Sequence, residues 1–245
     1  MAKLTPRPHT ILITGATDGI GLQLAKDYAA RGHKVLATGR RSLITDEDFF
    51  GVPNITYTRA DQARPQQAAE NIANAMRELG WAQLDLAILN AGIGWVGDPS
   101  DEKPSEIAQQ VTINLVAPIY ITKALAPWLA AGKGKLALIG STAIKGQGNF
   151  ATYAATKAGL DGFARSLREE WRGKADVLMI HPGPIRTDMH AKAGLNIGAG
   201  RALFMSPKRA SRAIQKAIRN NDKRRILSRS YGWRTLFAGG KEGRL

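Results

Sequence analysis

A chain of 245 residues, 44% of them apolar and spread along its length, can bury one large core, which excludes a disordered or low-complexity protein. It contains no cysteine, which excludes disulfides and thiolate metal sites, and its four histidines show no clustered ligand spacing, so no metal is expected. The formal net charge of +15 is unevenly placed: residues 201–245 hold thirteen Lys and Arg against Asp222 and Glu242, a local balance of +11. A cationic end of this kind suits an anionic surface or a phosphorylated ligand, or serves as a plain solvated face; no specific nucleic acid is expected. No linker or repeat divides the chain, so residues 1–245 read as one domain. The opening MAKLTPRPHT is polar and runs straight into a strand, and no apolar run is expected to approach the ~20 residues of a spanning helix. A cytoplasmic location is the expectation.

In chain order, Thr10 to Thr14 (TILIT) is a short β-branched run that predicts a buried strand. It leads into Gly15-Ala16-Thr17-Asp18-Gly19-Ile20-Gly21 and then a helical pattern from Leu22 to Arg31. Strand, glycine turn and helix in that order is the setting for dinucleotide binding. Glycines let the backbone approach a pyrophosphate, and a helix N-terminus offers N–H groups and a positive dipole end. Gly15, Thr17, Asp18, Gly19, Ile20 and Gly21 are therefore candidate cofactor contacts.

Lys34 to Thr38 predicts a second strand, followed by Gly39-Arg40-Arg41 with no carboxylate. An acid near this point would favour NAD; two guanidiniums suit a 2′-phosphate, so the cofactor expected is NADP(H). Ile55 to Thr58 is a third strand, followed by Asp61, which either contacts adenine or caps the helix starting near Pro65. Leu84 to Leu89 is a fourth strand, ending in Asn90-Ala91-Gly92, small residues that would let a cofactor lie close.

A long helical pattern covers about Pro104 to Leu129 with Asn114 set among apolar residues, as a structural hydrogen bonder or part of a proton path. Asp176 to Ile180 is a sixth strand running into His181-Pro182-Gly183-Pro184-Ile185-Arg186-Thr187. Residues 188–204 carry apolar side chains among glycines and read as a substrate lid or an ordinary loop. Pro207 to Asn220 predicts a last helix, Arg224 to Ser228 a seventh strand, and residues 230–245 a basic tail.

The stretch with the most chemistry lies between Gly140 and Gly159. The fifth strand, around Leu136 to Ile139, ends at Ser141, and twelve residues later a helical segment carries Tyr153 and Lys157. Residues four apart share a helix face, so the phenol and the ammonium enter one space. A free tyrosine titrates near pH ~10, and a cation beside it is expected to pull that value down. Ser141 can hydrogen-bond the oxygen that Tyr153 protonates. Such a site moves a proton on or off a carbonyl or alcohol oxygen. Ile93, Trp95, Ile144, Phe150, Met189 and Phe204 would give it an apolar wall.

Taken together, Thr14-Gly15-x-x-x-Gly19-x-Gly21, Asn90-Ala91-Gly92, Asn114, Ser141, Tyr153-x-x-x-Lys157 and Pro182-Gly183 followed by Thr187 resemble the short-chain dehydrogenase/reductase family over nearly the whole chain. The resemblance implies an α/β Rossmann fold: a doubly wound, seven-stranded parallel sheet with helices on both faces. It also implies hydride transfer between a nicotinamide cofactor and a carbonyl or alcohol. By that resemblance Tyr153 is the general acid/base, Ser141 positions the substrate oxygen, and Lys157 binds the nicotinamide ribose. Asn114 would hold a relay water, Thr187 and the backbone near Ile185 the carboxamide, and Asp61 the adenine. Arg40 falls where NADP-preferring members carry a basic residue. Pairing of the helices spanning about Pro104–Leu129 and Thr152–Trp171 would give a homodimer or homotetramer. The competing expectation is an NADPH-binding sensor or scaffold with little turnover.

Overall fold

The computed structural model describes residues 8–42, 49, 52–146, 148–186 and 204–227. Thr187, Met189, most of the 188–204 segment and the 230–245 tail lie outside the described residues.

Seven strands form one all-parallel sheet: β1 (Thr10–Thr14), β2 (Lys34–Gly39), β3 (Ile55–Arg59), β4 (Leu86–Leu89), β5 (Lys135–Ile139), β6 (Asp176–Pro182) and β7 (Arg224–Leu227). Their order across the sheet is β3-β2-β1-β4-β5-β6-β7. The chain winds outward from β1 to β3, returns to place β4 on the other side of β1, and continues to β7. The carboxyl ends of β1 and β4 therefore border the crevice where such sheets bind ligands.

Successive strand residues point to opposite faces, and the core divides accordingly. Leu12, Leu36, Ala87, Leu136, Leu138 and Met179 face α2 (Pro65–Glu78), α4 (Ala117–Gly132) and α5 (Ala151–Glu170). Ile11, Ile13, Val35, Ile88, Ala137 and Ile180 face α1 (Gly19–Ala29) and α6 (Pro207–Arg219). This is the doubly wound α/β architecture the sequence implies. Helix α1 begins at Gly19 rather than Leu22, because the Asp18 side chain accepts from the Gly19 N–H and caps it there. On α6, Lys208, Arg209, Arg212, Lys216 and Arg219 are exposed opposite the buried Ile214 and Ile218.

Helix α3 (Pro104–Val111) continues into α4 through a π turn at Thr112–Val116. Pro118 has no N–H to give the Asn114 carbonyl, and the Ala117 N–H bonds five residues back, to Thr112. The whole run Pro104–Gly132 corrects one sequence expectation. Its 29 residues, with mean hydropathy 1.3 over an 18-residue window, are long and apolar enough to cross a membrane by length and composition. The reason is that it is apolar on two sides. Ile121, Leu125 and Leu129 are buried against the sheet, while Ile107, Val111, Ile119 and Tyr120 are exposed.

Candidate active site

The glycine turn after β1 is built for close approach. Gly15 and Gly19 have φ of 62° and 54°, in the left-handed region that side chains avoid. A Cβ on Gly15 would sit 2.8 Å from the Ala91 Cα, and one on Gly21 would sit 2.1 Å from the Gly15 carbonyl oxygen. Residues Thr17 to Gly21 thus place the start of α1 over the carboxyl edge of the sheet, a cradle that fits a dinucleotide pyrophosphate. Gly39 closes the far side, where a Cβ would meet the Thr17 methyl at 2.7 Å. Arg40 and Arg41 follow, both exposed. Their carbonyls accept from the Arg59 Nε (3.1 Å) and the Tyr57 hydroxyl (2.8 Å), which fixes the loop backbone at the edge of the cradle.

Asp61 accepts from the Ala63 N–H through Oδ1 at 3.1 Å. That bond shapes the turn into α2, whose cap position is Arg64, so Asp61 shapes the approach to the helix without being its cap residue. Close by, the buried Gln62 Oε1 and Thr38 Oγ1 have no hydrogen-bond partner among the described residues. Such orphaned polar atoms suit a ligand that hydrogen-bonds there.

Asn90 stitches β1 to β4. Its Nδ2 donates to the carbonyls of Thr14 (3.2 Å) and Gly15 (3.1 Å), while the N–H groups of Asn90 and Ala91 donate to the buried Thr14 hydroxyl. Its amide donor is committed to shaping the turn. Gly92 leaves room beside two polar groups: a Cβ there would lie 3.1 Å from the Asn114 Oδ1 and 3.2 Å from the Lys157 Nζ. Asn114, fully buried in the π turn, grips Ile93 at both ends. It accepts from the Ile93 N–H (2.9 Å) and donates to the Ile93 carbonyl (2.8 Å) and the Thr156 hydroxyl (3.2 Å). That is the structural reading of this residue.

Ser141 lies just past β5, and its Oγ accepts from the Ala143 N–H at 3.1 Å and pairs with the Tyr153 hydroxyl. Tyr153 and Lys157 occupy the buried face of α5 as the spacing predicts. Tyr153 packs with Ala143, Phe150, Val96 and Ala154, and its ring faces the backbone of Gly94. Lys157 donates to the Ile139 carbonyl at 3.0 Å, with its Nζ 5.9 Å from the Tyr153 ring centroid. The site thus brings Gly92, Asn114, Ser141, Tyr153 and Lys157 together. Pro182, Gly183 and Ile185 follow at the end of β6, held by Gly183 N–H donation to Leu227 (2.8 Å) and a bridge from Ile185 to Met205.

The electrostatics correct one expectation. Burial pushes the Tyr153 phenol above its ordinary value, and the Ser141 hydrogen bond only partly opposes this. Lys157 does not pull it down, because burial acts on Lys157 too and lowers it to about 8. Two buried neighbours each resist their charged form.

Sequence reasoning missed a second buried network. Gln110, inside α3, accepts from the Trp95 N–H at 3.2 Å and donates to Glu102, and Glu102 accepts from the Thr152 hydroxyl at 2.6 Å. It ties the loop after β4 to the first turn of α5, next to Tyr153. The signal available was two polar residues at buried positions of an amphipathic segment, which points to a bonded group without naming its partner.

With the fold and the site in place, the chain can be set beside known proteins. The short chain dehydrogenase family model matches residues 9–197, and the chain belongs to that family of oxidoreductases. It is 31% identical over 199 residues to the uncharacterized oxidoreductase YciK of Escherichia coli, covering 75% of this chain and 76% of that one. It is 30% identical over 188 residues to the 11-beta-hydroxysteroid dehydrogenase 1A of Arabidopsis thaliana, covering 73% of this chain. The match spans only 53% of that plant relative, about half its length. Among solved structures, a short chain dehydrogenase of Shigella flexneri complexed with NADP superposes with a TM-score of 0.78 at 25% identity, covering 89% of this chain and 96% of that one.

Lys157 yields a stability test with a definite sign. Its pKa falls from 10.5 unfolded to about 8 folded, so between those values the unfolded chain binds more protons and stability rises with pH. Below about pH 8 the full cost of burying the ammonium is present. Lys157→Met should therefore stabilise the fold at pH 7, by at most on the order of 3 kcal/mol, less the bond lost to Ile139. Urea unfolding should show the gap narrowing from pH 8 to 10.5; a gap independent of pH would contradict the assignment.

Proposed function

We propose that this protein is an NADP(H)-dependent reductase of carbonyl compounds, or equally a dehydrogenase of the corresponding alcohols, with Tyr153 as the general acid/base. The observation that carries the reading is the convergence of Ser141, Tyr153 and Lys157 at the carboxyl edge of β5, with only β4 between it and the glycine cradle that follows β1. Family membership and the NADP bound to the Shigella relative support it.

The reduced nicotinamide, when bound, supplies the hydride that reduces a carbonyl carbon. The protein's part is binding, orientation and the proton. Gly15 to Gly21 would cradle the pyrophosphate, with Arg40 and Arg41 beside the 2′-phosphate and Asp61 near the adenine. Asn90, Ala91 and Gly92 would form the floor beneath the cofactor; Pro182, Gly183, Ile185 and Thr187 would complete its nicotinamide end. Ser141 Oγ and the Tyr153 hydroxyl would both bond the substrate oxygen, and Tyr153 would give up its proton as the oxygen gains negative charge. A phenol held above its ordinary pKa is protonated at neutral pH, the form reduction needs. Lys157 would hold ribose hydroxyls, and its ammonium, still largely charged at neutral pH, would offset the negative charge left as the phenol loses its proton; Asn114 would hold a relay water beside the backbone of Ile93.

Val96 and Phe150 pack against Tyr153 and give its surroundings an apolar character, so the substrate favoured is small to medium and partly apolar. Two surface features complete the proposal. The exposed Ile107, Val111, Ile119 and Tyr120 on the α3–α4 run suit pairing with a second copy in a homodimer or homotetramer. The basic face of α6, with the tail beyond it, suits weak contact with an anionic surface, which salt-sensitive co-sedimentation with anionic vesicles would detect.

Consumption of reduced cofactor, followed by its near-ultraviolet absorbance against aldehydes, ketones, diketones and quinones, tests the reading. Turnover is expected with NADPH and at least tenfold less with NADH, a preference that Arg40→Ala with Arg41→Ala should largely erase. Tight NADPH binding with no turnover across the panel would favour a sensor or scaffold instead. Tyr153→Phe should lower kcat by at least a hundredfold and leave the NADPH Kd close to wild type; wild-type turnover in that variant would refute the role given to Tyr153. Tyr120→Asp should shift sedimentation toward the monomer, and an unchanged sedimentation coefficient would exclude this face as the interface.

A further inference from the structure

The catalytic face of α5 does not end at Lys157. Four residues further on, one more turn along the same stripe, stands Asp161. Its Oδ1 lies 3.0 Å from Nε2 of His181 on β6, and the other ring nitrogen, Nδ1, lies 3.2 Å from the main-chain carbonyl of Ser141. The imidazole is completely buried. Arg224 on β7 donates to the same Asp161 oxygen at 3.1 Å, and Arg165 approaches the other at 3.7 Å. A line of contacts therefore runs from the sheet edge at β7 through Asp161 and His181 to the backbone of Ser141.

Ser141 needs such a hold. It lies one residue beyond Gly140, whose N–H still bonds to the Ile180 carbonyl, and its own carbonyl projects past the last rung of the sheet. Gly140 is shaped to admit the ring: a Cβ there would sit 2.5 Å from His181 Nδ1. The backbone at this point has given up a side chain so that the imidazole can touch it.

The chemistry of the clamp is constrained. A carbonyl and a carboxylate only accept, so both contacts are hydrogen bonds at once only when both ring nitrogens carry protons. Burial is the larger influence and lowers the imidazole pKa, while Asp161 and the Ser141 carbonyl act against it. For Asp161, burial would raise the carboxyl, but the bonds from Arg224 and His181 outweigh it and keep the group ionised.

We propose that His181, oriented by Asp161, is a positioning residue that clamps the Ser141 main chain and so aims the Ser141 hydroxyl at the substrate oxygen beside Tyr153. The proposal rests on the reductase reading for its kinetic consequence, but the clamp itself is a structural claim about the cofactor-free protein. His181 meets the Ser141 carbonyl and Asp161, and it acts through Ser141.

Two substitutions of similar bulk separate aiming from filling. His181→Leu fills the space without a donor, and His181→Gln restores an N–H that can reach the Ser141 carbonyl. Carbon-13 NMR of full-length protein labelled at the serine carbonyls, with Ser141 assigned, reads the clamp with no substrate present. The Ser141 signal should move in His181→Leu and stay near wild type in His181→Gln. In parallel, kcat with NADPH and the best carbonyl of the panel should fall on the order of tenfold or more in His181→Leu. It should recover most of that loss in His181→Gln, with the NADPH Kd within about threefold throughout. Gly140→Ala, which pushes the ring away and leaves its chemistry intact, should reproduce the His181→Leu result.

A folded His181→Leu protein with an unmoved Ser141 signal overturns the proposal. So does a wild-type kcat in that variant, or equal kcat losses in the Leu and Gln variants that track equal losses of Tm. A wild-type protein that binds NADPH but reduces no carbonyl refutes the reductase reading alone, and the Ser141 signal still decides the clamp.

Discussion

A parallel sheet runs out of partners at its carboxyl edge, and that shortage governs this molecule. Beyond the last rung of each strand the main-chain groups still demand hydrogen bonds. The chain meets the demand with side chains. Asn90 takes the carbonyls of Thr14 and Gly15, Asn114 takes both main-chain groups of Ile93, Lys157 takes Ile139, and His181 meets Ser141. Each of these side chains is held in place by the backbone group it satisfies. The polar equipment of the site and the closure of the sheet are one set of bonds.

This explains which parts of the site were legible in the sequence. The strands announce themselves as apolar runs, and the turn from Gly15 to Gly21 is a local pattern whose consequence, a backbone free of Cβ, is also local. Tyr153 and Lys157 are four apart on one helix, so their shared face follows from helix geometry alone. Asp161 and His181 are twenty residues apart on different elements, and nothing local pairs them. Only the register of β5 against β6, which sets Gly140 beside Ile180, brings the ring onto Ser141. The Glu102–Gln110–Thr152 network was illegible for the same reason, since it joins residues fifty apart. The π turn is an intermediate case: Pro118 was visible, but whether a helix kinks, breaks or bulges at a proline is decided by what packs around it.

The electrostatics depart from the sequence expectation for a related reason. Placing an ammonium four residues from a phenol invites the inference that one charge lowers the other's pKa, which assumes that both groups stay solvated. Both are buried, so each first loses the hydration that favours its charged form. Burial raises the tyrosine and lowers the lysine, drawing both toward neutrality. A neutral phenol beside an amine lowered to about 8 is still a competent pair for reduction near neutral pH, where the first keeps its proton and the second is still largely charged.

The two hydroxyls now stand apart from the other polar groups of the site. Asn90 and Asn114 are anchored to the backbone, Lys157 gives one of its three N–H groups to Ile139, and His181 sits between Ser141 and Asp161. Ser141 Oγ accepts from the Ala143 N–H and lies near the Tyr153 hydroxyl, an arrangement that a substrate oxygen can enter by meeting both hydroxyls. Little has to move, because the groups that would otherwise drift are tied to the sheet. That economy of motion is the contribution a protein makes when its cofactor carries the difficult chemistry. It also accounts for the glycine at position 140, where a Cβ would lie 2.5 Å from the imidazole that meets Ser141, and for the close quarters at Gly92, where one would press on the Lys157 amine at 3.2 Å.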